Sequence, residues 1–186
     1  MASSQFAIKQ IKSQPYSDQH SGTAGLRKKV SVFRQPHYLE NFVQSIFDTL
    51  DFTDNTRLVL GGDGRFYNDV AIQTIAKIAA ANGISTLYVG QNGLLSTPAA
   101  SHLIRCTKAA GGIILTASHN PGGPDGDFGI KWNIASGGQA TEQLTEAVYE
   151  RSKQIASYRI CELPTLDLNR IGSQRFGEFC VEVVDP

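Results

Sequence analysis

The chain has 186 residues, of which 41% are apolar and 18% charged, a composition that can bury the core of one globular domain. Its 17 basic and 17 acidic residues leave no net charge, which argues against nucleic acid or an anionic membrane as a partner. Three widely spaced cysteines form neither a zinc-site pattern nor a secreted disulfide framework, and no run approaches the roughly 18 apolar residues of a membrane span. We therefore expect a single domain over residues 1–186, located in the reducing cytoplasm.

Helix and strand patterns alternate along the chain. Apolar spacing predicts three helix–strand pairs, at 39–50 and 57–61, at 68–82 and 86–89, and at 97–107 and 112–115. Thr97 is the expected N-cap of the third helix, with Pro98 in its first turn. A strand over 129–133, a helix from Thr141 to about Tyr158 with Ile155 on its apolar face, and a strand over 181–184 follow. Apolar strands in alternation with helices predict an α/β fold whose sheet is covered on both faces.

A polar segment follows the third of these strands directly. The run Thr116-Ala-Ser-His-Asn-Pro-Gly-Gly123 leaves the apolar residues 112–115 and contains too much proline and glycine to continue as helix or strand. The pattern therefore predicts that Ser118 is presented at the surface. The residues alone leave two interpretations open, a reactive serine and an ordinary solvated loop serine.

Several familiar site motifs are absent around this segment. A serine-hydrolase elbow needs glycine two residues before and after the nucleophile, where this chain has Thr116 and Asn120. The chain contains neither glycine-rich fingerprint for nucleotide phosphates. Asp125-Gly-Asp127 does not begin an EF-hand loop, because Ser136 stands where the bidentate glutamate is required. These observations argue against a hydrolase elbow, a nucleotide fingerprint and a calcium loop.

Five blocks of sequence occur in a distinctive order and spacing. They are Gly22 to Val30, Gly61 to Arg65, Gly90 to Pro98, Thr116 to Gly123 and Gly126 to Lys131. Together they resemble the first domain of the α-D-phosphohexomutase superfamily, specifically its eukaryotic phosphoglucomutase and parafusin branch, over nearly the whole chain. The resemblance implies an α/β domain with a mixed sheet sandwiched between helices. It also implies an enzyme that interconverts glucose 1-phosphate and glucose 6-phosphate through glucose 1,6-bisphosphate.

The resemblance assigns the central roles to three residues. It implies that Ser118 carries the transferable phosphoryl group and that Arg27 binds the phosphate, for which a guanidinium offers bidentate contacts. Lys131 matches a lysine that binds substrate and assists proton transfer at the reacting hydroxyl, a role that suits a lysine whose pKa is lowered by burial. Without the resemblance, Arg27 and Lys131 can equally be read as solvated surface cations.

Further residues of the matching blocks have weaker assignments. His119 either acts as a catalytic donor, acid or base at the phosphoryl group or only braces the loop. Thr23 and Asn120 are expected to contact the phosphate or to shape the loop. Asp63 and Arg65 are expected to form a polar pair that supports the serine loop.

The resemblance also implies ligands and partners. Mg²⁺ is expected to bind an oxygen of the phosphate on Ser118, with its remaining ligands outside this chain, and glucose 1,6-bisphosphate is the expected activator and intermediate. The segment 125–127 is not assigned to the metal, because it belongs to the block that follows the serine. A hexose phosphate is the expected partner of a monomeric protein. The isolated chain should show negligible turnover, since it has no counterpart of the family's metal and sugar-reading loops.

One departure from the family pattern leaves a second function open. Ala24 stands where the family usually has serine, so a hydroxyl near the Arg27 turn is missing. Backbone groups can hold phosphate without it. The alternative is a non-catalytic, phosphoglucomutase-like binding protein of the cytoskeleton or of vesicles, similar to parafusin.

Overall fold

The computed structural model describes residues 6–22, 24–50, 52–53 and 55–186, so Thr23 lies outside the described residues. The helices are α1 (Val30–Phe33), α2 (Tyr38–Thr49), α3 (Asn68–Ala81), α4 (Thr97–Thr107) and α5 (Glu142–Ser152). The strands are β1 (Ile8–Lys12), β2 (Leu26–Lys29), β3 (Arg57–Gly62), β4 (Thr86–Leu94), β5 (Gly111–Leu115), β6 (Asp127–Ile134), β7 (Ser157–Cys161), β8 (Gly172–Phe176) and β9 (Phe179–Val184). None of the described helices is long and apolar enough to cross a bilayer.

Seven strands form one mixed sheet in the order β2-β6-β5-β3-β4-β9-β8, while β1 and β7 pair separately. The central strands β5, β3, β4 and β9 are parallel, and β6 and β8 run antiparallel to their neighbours. Helix α4 covers one face, where Ile104 packs with Val59 and Ile114. The other helices pack on the opposite face around the main core. The expected α/β fold, a mixed sheet sandwiched between helices, is confirmed.

Two details of the predicted elements are wrong. The N-cap of α4 is Ser96, not Thr97, because Ser96 has extended backbone and its hydroxyl accepts a hydrogen bond from the Ala99 N–H at 3.3 Å. Helix α5 ends at Ser152, well before Tyr158. Ile155 is buried after the helix, and the residues that follow it form β7, which pairs with β1. Ile155 has the spacing of a residue on the apolar face of α5, but it is buried in the segment between α5 and β7.

The parallel strands β3 and β5 end side by side, with Gly62 paired to Leu115. The Asp63 N–H donates to the Leu115 carbonyl at 3.1 Å, so the loops that follow the two strands are joined from their first residues. Open α/β sheets bind ligands at the carboxyl ends of their parallel strands. The two loops that leave this edge, 63–65 and 116–120, therefore build the candidate site.

Candidate functional site

Ser118 is exposed at the carboxyl edge of the sheet in a strained backbone conformation. Its φ of +57° lies in the left-handed region, which serine rarely adopts. The Ser118 N–H donates to Thr116 Oγ1 at 2.9 Å, and the Ser118 carbonyl accepts a hydrogen bond from Arg65 Nη2 at 2.9 Å. Strained residues persist where their surroundings hold them, and such positions cluster at functional sites.

Arg65 and Asp63 hold the serine loop from the neighbouring strand. Arg65 donates through Nε to Asp63 Oδ1 at 3.0 Å and through Nη1 to the Asp127 carbonyl at 2.7 Å. Thr116 Oγ1 donates to Asp63 Oδ2 at 2.6 Å. Burial opposes ionisation of Asp63, but the hydrogen bonds from Arg65 and Thr116 hold its pKa below the usual value. The prediction that Asp63 and Arg65 support this loop is confirmed.

Asp127 closes the far end of the same loop. Its Oδ2 accepts a hydrogen bond from Asn120 Nδ2 at 2.8 Å, and its Oδ1 lies 2.9 Å from Lys29 Nζ. The hydrogen bond from Lys29 is the main reason that the pKa of Asp127 is lowered. Asn120 therefore has a loop-shaping contact, and its expected contact with phosphate stays a prediction. Both carboxylate oxygens of Asp127 are therefore engaged by side chains of this domain.

Arg27 lies on β2 and is linked to the serine loop through Gly129 of β6. Arg27 pairs with Gly129, whose carbonyl accepts the Thr116 N–H at 2.9 Å. A side chain at position 129 would clash with the Thr116 carbonyl and lie 3.2 Å from Arg27 Cγ, so glycine allows this close approach. Arg27 Nε is buried and has no hydrogen-bond partner among the residues the structure describes. A buried donor without a partner suits an anion.

Lys131 lies two residues along β6 from Gly129, the residue that pairs with Arg27, so Lys131 and Arg27 are on the same face of the sheet. Burial, and then the nearby charge of Arg27, lowers the pKa of Lys131. Gly25 packs closely on the aliphatic part of this lysine, because a Cβ at position 25 would lie 2.5 Å from Lys131 Cγ. The φ of Gly25 is +90°, which also favours glycine at this position. The site thus combines a guanidinium donor without a partner and an amine that gives up its proton more readily than usual.

His119 is exposed, and its ring has no hydrogen-bond partner among the described side chains, which leaves both of its proposed roles open. Sequence reasoning did not identify Lys29 and Asp127 as part of the site. Their contact depends on the pairing of β2 with β6, in which Lys29 lies opposite Asp127, and no local pattern reveals that register. Thr116 was identifiable, since a hydroxyl two residues before a loop residue often accepts that residue's N–H.

The described residues offer few free carboxylates for a magnesium ion near Ser118. In the described ranges, no three His, Cys, Asp or Glu residues converge on a point that could hold a metal ion. Asp63 and Asp127, the carboxylates that form hydrogen bonds with the serine loop, are bound to cations. The described residues therefore do not form a magnesium site by themselves.

Comparison with known proteins agrees with this geometry. The family model of phosphoglucomutase/phosphomannomutase, alpha/beta/alpha domain I, matches residues 18–159. A phosphoglucomutase of Rhizobium radiobacter is 58% identical over 179 residues, which are 96% of this chain and 33% of that protein. Human phosphoglucomutase-1 is 54% identical over 94% of this chain and 33% of its own length.

A solved structure shares the fold closely. The open form of the exocytosis-sensitive phosphoprotein pp63/parafusin, a phosphoglucomutase from Paramecium, aligns with a TM-score of 0.92 and 46% identity, over 96% of this chain and 35% of that one. The chain thus spans about a third of the length of the relatives it matches. On these grounds, the chain belongs to the phosphoglucomutase/phosphomannomutase family, in which it corresponds to the α/β/α domain I.

Proposed function

We propose that the chain is the phosphoserine domain of a phosphoglucomutase that interconverts glucose 1-phosphate and glucose 6-phosphate. The observation that carries the proposal is the exposed, left-handed Ser118, which Thr116 and Arg65 hold in place. The same domain supplies Arg27, whose buried Nε has no hydrogen-bond partner among the described residues. A fixed nucleophile and a cation without a partner suit phosphoryl transfer, since positioning and charge stabilisation supply most of its catalysis.

In the proposed reaction, phosphorylated Ser118 transfers its phosphoryl group to the free hydroxyl of a hexose monophosphate. The bond between phosphorus and Ser118 Oγ breaks as the bond to the sugar oxygen forms, which gives glucose 1,6-bisphosphate. Lys131 takes the proton of the attacking hydroxyl, a role supported by its lowered pKa, because more of the amine is then neutral near pH 7. In the second half, Ser118 Oγ attacks the other phosphoryl group of glucose 1,6-bisphosphate and the bond from that phosphorus to the sugar oxygen breaks. The proton held by Lys131 passes to the released sugar oxygen, and the product monophosphate leaves.

Arg27 and Mg²⁺ have separate roles in this proposal. Arg27 binds phosphate oxygens and compensates their charge, with its buried Nε as the supporting contact. Mg²⁺ would bind an oxygen of the phosphate on Ser118 and add charge neutralisation, with its other ligands outside the described residues. The reaction is proposed for a monomer in the reducing cytoplasm, which three free cysteines favour.

The proposal is tested with a hybrid enzyme in which this chain replaces the matching third of the Rhizobium radiobacter phosphoglucomutase. A coupled assay follows the formation of glucose 6-phosphate from glucose 1-phosphate. The hybrid should be active with Mg²⁺ and glucose 1,6-bisphosphate, the Ser118→Ala hybrid should lose at least about 10³-fold, and the isolated chain should show no steady turnover. An Ser118→Ala hybrid with undiminished activity would contradict the proposal.

A second candidate function has one observation in its favour. The Paramecium relative, 46% identical, is described as an exocytosis-sensitive phosphoprotein as well as a phosphoglucomutase. The alternative is therefore a binding protein of vesicles or the cytoskeleton in which catalysis is lost or secondary. Transfer of phosphate to Ser118 separates the two candidates, because a binding protein that has lost catalysis would not take phosphate from glucose 1,6-bisphosphate.

A further inference from the structure

A groove beside the serine loop is lined by most of the large apolar side chains that are exposed in the described residues. Five large apolar side chains are exposed among the described residues, and Phe66, Val70 and Leu94 line this one groove with exposed fractions of 46%, 49% and 41%. The other two, Ile8 and Ile171, lie outside it. The groove has a volume of about 590 Å³. Clustered apolar exposure with a polar rim marks an interaction surface, whereas isolated exposed residues do not.

The charges at the rim favour a polypeptide as the occupant. Arg34 and Asp69 both line the groove and are exposed, and neither forms an ion pair with another residue in the described ranges. A small anion such as a sugar phosphate would meet Arg34 but be repelled by Asp69. A protein surface can present an apolar centre together with one charge of each sign.

The groove is continuous with the candidate catalytic edge. Arg65 lines the groove and also donates to the carbonyl of Ser118. Leu94 lies against Gly64, where a Cβ would be 2.5 Å from Leu94 Cδ2. An occupant of the groove therefore contacts the 63–65 segment that fixes the serine loop. Such an occupant would also help to enclose the edge, and phosphoryl transfer to a sugar requires the exclusion of water.

We infer that the groove lined by Phe66, Val70 and Leu94 is the surface on which domain I docks the remainder of a full-length family member. The chain matches only about a third of each relative, so those proteins contain further polypeptide that can cover a surface exposed in this chain. The apolar centre, the opposite charges of the rim and the contact with the serine loop select this groove as that surface. The inference depends on family membership and not on the phosphoryl chemistry of Ser118.

Site-resolved cysteine labelling tests the docking surface. Val70→Cys and Ile171→Cys form a matched pair, because both replace a β-branched residue that is about half exposed, inside and outside the groove respectively. Maleimide labelling is read by mass spectrometry, with the exposed native Cys106 as internal reference. The same two substitutions are made at the aligned positions of full-length Rhizobium radiobacter phosphoglucomutase. Thermal unfolding checks each variant, and Leu94→Cys replaces Val70→Cys if the latter unfolds.

In this chain the two cysteines should react within about threefold of one another, since both are open to solvent. In the full-length relative, the cysteine aligned with Val70 should react at least about tenfold more slowly than the one aligned with Ile171. Equal rates in the full-length relative, whether both are fast or both slow, would overturn the inference. Protection of Val70→Cys in this chain that increases with protein concentration would also overturn it, because the occupant would then be a second copy.

Discussion

The substitution Arg65→Met tests whether the serine loop depends on one guanidinium. Arg65 has a side chain that is only 8% exposed, and it donates to the Ser118 and Asp127 carbonyls as well as to both oxygens of Asp63. Methionine fills similar space without a donor. Its introduction leaves two backbone carbonyls and a partly buried carboxylate without their partner.

The expected loss follows from these contacts. A hydrogen bond from a charged donor contributes about 1.5 to 3 kcal/mol, and loss of one partner of a buried charge pair costs about 3 to 5 kcal/mol. Asp63 is 36% exposed, so water recovers part of that loss, and we expect the free energy of unfolding to fall by about 3 kcal/mol. For a domain of this size that corresponds to a decrease in Tm of roughly 6 to 12 °C.

Chemical denaturation followed by circular dichroism measures the loss, and Arg151→Met is the matched control. Arg151 also binds an aspartate through two nitrogens, Nε at 2.9 Å and Nη2 at 2.7 Å from Asp48 Oδ2, but both side chains are partly exposed. Such a surface pair contributes about 0 to 1 kcal/mol. If Arg65→Met and Arg151→Met destabilise the chain equally, the hydrogen bonds of Arg65 do not hold the serine loop.

Three further substitutions test neighbouring contacts, each by denaturation. Thr116→Val should cost about 2 kcal/mol, because it removes the hydroxyl that joins Asp63 to the Ser118 N–H, whereas Thr116→Ser should retain most of the stability. Ser118→Gly should be about 1 kcal/mol more stable than Ser118→Ala, since only glycine adopts the left-handed backbone without strain; equal stabilities would contradict the strain. Lys131→Met should raise Tm at pH 7, because burial and the charge of Arg27 lower the pKa of Lys131 and protonation therefore favours the unfolded chain. That gain should be complete below the folded-state pKa and disappear as the pH rises to the unfolded-state value, and a gain that is independent of pH would contradict it.

The parts of the fold that the sequence predicts are those buried on both faces of the sheet. Strands β3 and β5 are short buried apolar runs, and β4 begins with a similar run over 86–89 before its polar, partly exposed end. The helices between these strands bury one regular face, so length and periodicity identify both kinds of element. The strands that were missed lie at edges or in the small sheet. Strand β2 contains three consecutive cations, and β1 is almost wholly exposed, so neither carries a pattern that burial would impose.

The candidate site divides in a similar way. Ser118 was identifiable because a glycine- and proline-rich run follows a buried strand, and Asp63 was identifiable because it follows the next strand of the sheet. The contact between Lys29 and Asp127 was not, since it depends on pairing between strands far apart in sequence. The resemblance of the five blocks to the family predicts roles for Arg27 and Lys131, and these stay predictions. The structure adds one property of each residue, a buried Nε without a partner in Arg27 and a lowered pKa in Lys131.

The position of the phosphoryl group is the most direct test of the central claim. The hybrid enzyme is incubated with glucose 1,6-bisphosphate, digested and mapped by mass spectrometry. The account predicts a gain of about 80 Da on Ser118 alone, which is absent from the Ser118→Ala hybrid and is lost when glucose 6-phosphate is added as acceptor. No gain of mass in an enzyme that still converts glucose 1-phosphate, or a phosphate on another residue that persists in Ser118→Ala, would contradict the account.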